Sequence, residues 1–314
     1  MTGLLAVVAG AAAGDVIYLL DGTHTLGAST LNIDKQLTIL GQSEAGTIID
    51  ASGIDGYGIL VTADDSSLSN FTLNGPAAGG ASGNYGIKAQ PDTGVATDRL
   101  DGLTIDHVTV SNSGRSEIDL NGVVNATLSN ITVDGNGTAG VGVAITDSAH
   151  ITLNNVTTVD NAWGSVALYS SNTFYDQQTT DITFTGTFSY NESIGIYAED
   201  PSATQSLGTL VLPPSFTGDG DGAWTVTNDA YRGAGSANFT FYFADAASAS
   251  AFALALQQAP SVVNTRSVIT GPDGSLAVMP GMSLQAAIDA AEAGDTISVA
   301  AGTFTETINV NKQV

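Results

Sequence analysis

The 314-residue chain has no cysteine, which excludes disulfide stapling and thiol catalysis. Basic residues are scarce: 7 Lys and Arg stand against 31 Asp and Glu, for a formal net charge of −24. A surface of that sign repels phosphate backbones and anionic lipid, so neither nucleic acid nor a membrane surface is an expected partner. No run of about 18 apolar residues occurs, so no membrane-spanning helix is expected. LLAVVAGAAAG near the start has the apolar character of a leader peptide, but no Lys or Arg precedes it and a copy recurs internally. A helix is the expected reading. What the chain does have is 43% apolar residues, enough for a large core, and 37 glycines to turn it.

Residues 283–314 read as the opening of a folding unit. Leu284, Ala287, Ile288 and Ala291 follow i, i+3, i+4, i+7 spacing, which predicts a short amphipathic helix over 283–292. Gly294 ends it, and period-two alternation follows at Ile297, Val299, Ile308 and Val310. The same text occurs near the start. Leu4, Val8, Gly14, Asp15 and Ile17 match Leu284, Ile288, Gly294, Asp295 and Ile297 at an offset of 280, and LNIDKQL (31–37) matches INVNKQV (308–314) at 277. The expected organisation is a long unit over 1–240 with a capping helix near 4–13, then a connector over 241–282, then the cap and first strands of a second, truncated unit over 283–314. Within the connector, 245–259 reads as a helix, and GPDG (271–274) as the turn of a hairpin.

Between residues 47 and about 200 a loose repeat recurs with a period of roughly 23 to 37 residues, the mark of a solenoid with loops of unequal length. One recurring strand carries Asn70, His107, Asn130, Asn155 or Gly186 between apolar residues, as in LSNF (68–71). Asn and Gly tolerate a left-handed backbone best, so this position predicts a tight corner, with stacked amides bonded along the stack. The other strand follows a glycine-rich bend: YGIL (57–60), YGIKA (85–89), SEIDL (116–120), VGVAI (141–145), SVALY (165–169) and IGIYA (194–198). A capping helix, AGDTISVAAGTFTETINVNKQV and coils with turn asparagines together resemble the right-handed parallel β-helix proteins of the pectate-lyase-like superfamily. The resemblance spans roughly residues 4–230 and implies an all-β solenoid. It implies no single chemistry, since that superfamily includes lyases, hydrolases, epimerases, tailspikes and adhesins. Its catalytic signatures, an Asp-Pro-His-Glu run or paired Asp with Gly-His-Gly, are missing from this sequence.

The densest charge lies in one pair of strands. If Ile118 and Leu120 point inward, alternation places Arg115, Glu117 and Asp119 on one outer face, with Lys88 of the preceding coil beside Asp119. Two carboxylates about 7 Å apart with two cations suit acid–base work on a sugar chain. They also suit plain surface ion pairing. Tyr85, Trp163, Tyr169 and Tyr197 fall near strand ends, where aromatic rings can stack on sugars or cover loops. Asp134 in DGNG and Asp219 and Asp221 in GDGDG suggest calcium loops, though neither has a full ligand spacing. Calcium is thus the one cofactor in view. His107 takes an asparagine's corner position and reads as structural.

Two functions fit. One is a secreted or surface-displayed segment of a large tandem-repeat bacterial protein, structural or adhesive, binding polysaccharide or a cell-surface glycan. Its ends would meet an adjacent β-helix unit or associate end to end. The other is a carbohydrate-active enzyme, a lyase or epimerase on acidic polysaccharide, using Lys88, Arg115, Glu117 and Asp119.

Overall fold

The computed structural model describes residues 3–77, 83–93, 95, 97–137, 140–169, 179–192, 195–199, 206–212, 215–218, 226–228, 238–243, 268–270, 276–278, 284–291, 293–294, 296–299, 302–311 and 313–314, and the statements below concern those residues. They form an all-β parallel solenoid with a helix at its head. One face is an eight-stranded sheet in which Leu31–Ile33, Tyr57–Val61, Tyr85–Ala89, Ser116–Asn121, Val141–Thr146, Gly164–Tyr169, Ile196–Glu199 and Val226–Asn228 stack in chain order. We call this the second sheet. The remaining strands make the first sheet, dominated by Ser67–Asn74, Thr104–Ser111, Thr127–Asp134, Ala149–Val159 and Thr180–Tyr190. Each of these pairs parallel with the next, Leu68 with Ile105, Ile105 with Leu128 and Leu128 with Leu153.

The corners take the predicted form. Asn70, His107, Asn130 and Asn155 have φ between 52° and 56°, and Gly186 has φ 68°. Their amides form a ladder: Asn130 Nδ2 donates to Asp106 Oδ1 at 2.9 Å and Asn155 Nδ2 to Asn130 Oδ1 at 3.1 Å. The ladder ends at Gly186 for a steric reason, since a Cβ there would lie 2.1 Å from Asn155 Oδ1. That oxygen instead accepts the Thr187 N–H at 3.0 Å. A parallel ladder runs through Asp50, Asn74, Asn112 and Asn136, each amide donating to the residue one coil earlier at 2.9 to 3.0 Å. Each such bond contributes about 1 kcal/mol, and repetition holds successive coils in one register.

Inside, alternate residues form a continuous apolar column: Leu68, Ile105, Leu128 and Leu153 from the first sheet face Ile59, Ile87, Ile118 and Val143 from the second, all at 0 or 1% exposure. Helix α1 (Leu4–Gly10) closes the head of this column with Leu4 and Val8. It stops at Gly10, short of the expected residue 13, because Ala11 is already extended (φ −69°, ψ 150°) and leads into Val16–Leu19. Helix α2 (Leu284–Ala290) repeats the arrangement, burying Ala287, Ile288 and Ala291. The likeness extends to the backbone: Gly14 N–H donates to Gln36 O at 2.8 Å, and Gly294 N–H to Gln313 O at 2.9 Å, at positions matched by the two offsets. Within 241–282, Val268–Thr270 and Leu276–Val278 pair antiparallel, as a hairpin requires, and GPDG (271–274) between them lies outside the described residues. The helix expected over 245–259 lies outside the described residues. Among the described residues no helix is long and apolar enough to cross a membrane.

Candidate functional site

The second sheet turns three rows of side chains outward. In register along the stack, one row runs Tyr57, Tyr85, Ser116, Val141; the next Asn32, Leu60, Lys88, Asp119, Ala144, Ala167; the third Asn121, Thr146, Tyr169. Tyr85 stacks on Tyr57 at 5.6 Å between centroids, with Lys88 Nζ 4.9 Å and Arg115 Cζ 5.7 Å from its ring centroid. Lys88 Nζ donates to Asp119 Oδ1 in an ion pair whose side chains are only 5% and 9% exposed. Asn121 completes the group once its amide is oriented to satisfy its surroundings. Its oxygen then accepts from Lys88 Nζ, and its nitrogen donates to Thr146 Oγ1 at 3.1 Å. Burial, with help from the Asp119 charge, pushes the Tyr85 phenol up to about 12 against the pull of Arg115.

The expected face is therefore only partly assembled. Lys88, Asp119 and Tyr85 come together there, and Arg115 reaches the same ring from an exposed position. Glu117 does not join them. Its neighbours in register, one coil before and after, are Gly86 and Gly142, where a Cβ would meet Val110 Cγ1 at 2.5 Å and Val133 Cγ2 at 2.9 Å. Both contacts belong to the opposite sheet, so this row faces the interior. The strand places two successive residues inward, Glu117 and Ile118, because the chain has just rounded a corner and strict alternation resumes only afterwards. Glu117 is 1% exposed, Oε1 accepts the Ser113 N–H at 2.9 Å, and Oε2 is buried without a hydrogen-bond partner. Burial pushes its carboxyl up to about 7; the Ser113 hydrogen bonds oppose this and the Asp134 charge adds to it.

The same interior row continues as Ser165, whose hydroxyl donates to Thr158 Oγ1 at 2.6 Å. Glu192 closes that seam, accepting from Thr158 Oγ1 at 2.8 Å and from Asn161 Nδ2 at 2.6 Å. Sequence reasoning did not find this seam, although the aligned column Gly58, Gly86, Glu117, Gly142, Ser165 and Gly195 holds its signal: a lone Glu among residues with small side chains or none.

Of the aromatic candidates, Tyr169 lies on the outer face, packed on Val141, Ala144 and Ala167. Trp163 is 40% exposed just before its strand begins. Tyr197 holds the register position next to Ala167, and its side chain lies outside the described residues. Asp134 ends its strand with Oδ1 accepting the Asn136 N–H at 2.9 Å, an ordinary turn contact. Asp219 and Asp221 lie outside the described residues. Among the described residues no three Asp, Glu, His or Cys side chains gather as a metal site would need.

A family model described as "Right handed beta helix region" matches residues 57–229. No curated protein matches the chain. Among solved structures, it is similar to the catalytic domain of a GH87 α-1,3-glucanase in complex with nigerose, at 13% identity and TM-score 0.47, over 82% of this chain and 51% of that one. It is also similar to the A-module of the Azotobacter vinelandii mannuronan C-5 epimerase AlgE4, at 14% identity and TM-score 0.38, over 94% of this chain and 89% of that module. The endo-xylogalacturonan hydrolase of Aspergillus tubingensis is similar at 14% identity and TM-score 0.41, over 97% and 91%. The chain thus spans about half the length of the glucanase catalytic domain.

Proposed function

We propose, for a chain that belongs to the right-handed β-helix family, that it is a secreted or surface-displayed structural segment that binds glycan without transforming it. The observation that carries this reading is the state of the charged cluster. Lys88 and Asp119 are 4% and 6% exposed and spent on each other, on Asn121 and on the Tyr85 ring, while Glu117 lies inside the solenoid. A general acid or base must come within about 3 Å of a substrate atom, and these groups are covered by protein. Their arrangement serves as a clamp between coils.

The rest of the molecule suits a stiff spacer. Two amide ladders run along the stack, and the seven spacings of roughly 4.8 Å between its eight strands give the second sheet a length of about 34 Å. Exposed Trp163 and half-covered Tyr169 and Tyr57 offer ring faces to sugars along one side. A net charge of −24 keeps such rods apart in solution. The test is a panel of neutral and uronic-acid polysaccharides, assayed for retention on the immobilised polymer and for unsaturated or reducing-end products, with and without calcium. Retention without product is expected. Product formation that disappears in Asp119→Asn would establish the competing enzyme reading.

A further inference from the structure

A cleft of about 570 Å³ opens between α1 and the outer face of the second sheet, walled by Leu5, Val8, Lys35, Tyr57 and Leu60 with Asn32 at its floor. The strand beneath it, Leu31–Ile33, is the end strand of its sheet. Ile33 O accepts the Thr62 N–H at 2.9 Å, so the peptide groups of Ile33 face the neighbouring strand. In a parallel ladder the adjacent residue turns the opposite way. The N–H and C=O of Asn32 therefore face the cleft.

The second copy of the cap shows what such a pair accepts. By the two sequence offsets Gln285 stands where α1 has Leu5, and Asn309 where the end strand has Asn32. Gln285 Oε1 accepts the Asn309 N–H at 2.6 Å, and its Nε2 reaches Asn309 O at 3.4 Å. One carboxamide thus answers both backbone groups at once. Leu5 has no polar atom to do this, and the space remains open above Asn32.

We infer that the α1 cleft binds an acetamido sugar, its amide taking the place that the Gln285 side chain fills in the second copy. The acetyl oxygen accepts the Asn32 N–H, the amide N–H donates to Asn32 O, and the methyl rests on Leu5 and Val8. The pyranose ring lies against Tyr57, which its 5.6 Å stack on Tyr85 holds in place. Lys35, which donates to Ala9 O at 3.1 Å, and Asp34 both line the cleft, and their opposite charges leave no net charge there, which suits a neutral sugar. α1 packs against the end strand, where an added peptide strand would otherwise pair. This site shares no residue with the Lys88–Asp119 cluster and goes beyond the glycan-binding reading by naming a place and a sugar class.

The test titrates the full chain, by NMR or calorimetry, with the methyl glycoside of N-acetylglucosamine, with methyl glucoside and with a simple N-acetyl amino-acid amide. Saturable binding of the first is expected, weaker by about tenfold or more for the other two, as expected for losing two hydrogen bonds or the ring contact. Leu5→Gln should supply the carboxamide internally and abolish binding, with circular dichroism and melting temperature preserved. The inference is overturned if the plain glucoside binds equally well, if the peptide amide binds as tightly as the sugar, if Leu5→Gln binds like the parent, or if nothing binds. Failure of these titrations while retention on other polysaccharides persists would sink this site alone and leave the broader proposal standing.

Discussion

Glu117 ties stability to pH in a direction opposite to that of a paired carboxylate. Its carboxyl has an ordinary value of 4.5 and is pushed up to about 7, first by burial and further by the Asp134 charge. Below 4.5 the group is protonated in the folded and the unfolded chain alike, and contributes no difference. Between 4.5 and 7 the unfolded chain releases the proton while the folded chain retains it, so stability falls as pH rises; above 7 the loss is complete. A displacement of that size corresponds to about 3 kcal/mol. Glu117 is 1% exposed, so solvent screening gives little discount. The assay compares the parent with Glu117→Gln, which keeps the acceptor for Ser113 N–H and cannot ionise. Taking the difference cancels the repulsion among the chain's other carboxylates. Urea unfolding across the pH range should show the parent losing about 3 kcal/mol relative to the variant between the acid and neutral limits. NMR titration of the Glu117 carboxyl carbon should give a midpoint near 7. A flat difference, or a parent that gains stability with pH, would refute an interior carboxyl and restore Glu117 to the surface.

Two other perturbations probe the clamp and the ladder. Asp119→Ala leaves Lys88 buried without its counter-charge and should cost about 3–5 kcal/mol, whereas the double change Lys88→Met, Asp119→Leu should recover most of it; equal melting temperatures for the single variant and the parent would mean the pair is exposed. Gly186→Ala and Gly137→Ala both place a side chain at φ near 70°, but only at Gly186 does the new Cβ strike Asn155 Oδ1, so that variant should lose about 1–3 kcal/mol and Gly137→Ala about 1. Equal losses would remove the ladder contact as the reason for glycine at 186.

The corner residues were legible because their requirement is local. Any residue held at φ near +55° in a turn selects for Asn, Asp, His or Gly, and a column of them in the sequence announces stacked corners. The cap helix was legible through its periodicity, and its second copy through text that matched at two fixed offsets. The face of Glu117 was not. Alternation is a rule for strand interiors, and the residue lies at a strand's beginning, where the preceding corner sets the direction. The column of small residues above and below it carried the information, but only alignment of the coils to one another reveals the column.

The sequence by itself determined the solenoid, its corners, its apolar column and its cap, because each depends on short-range backbone preference or on simple periodicity repeated many times over. Tertiary structure decided what the charges are for. Whether Lys88 and Asp119 meet solvent or each other depends on which residues of other coils cover them, and whether Glu117 faces sugar or core depends on a single corner. The open amide edge above Asn32 arose the same way: one side chain, Leu5 in place of a glutamine, leaves a hydrogen-bonding pair facing a cleft, and only the packing of α1 against the end strand shows that the two positions meet.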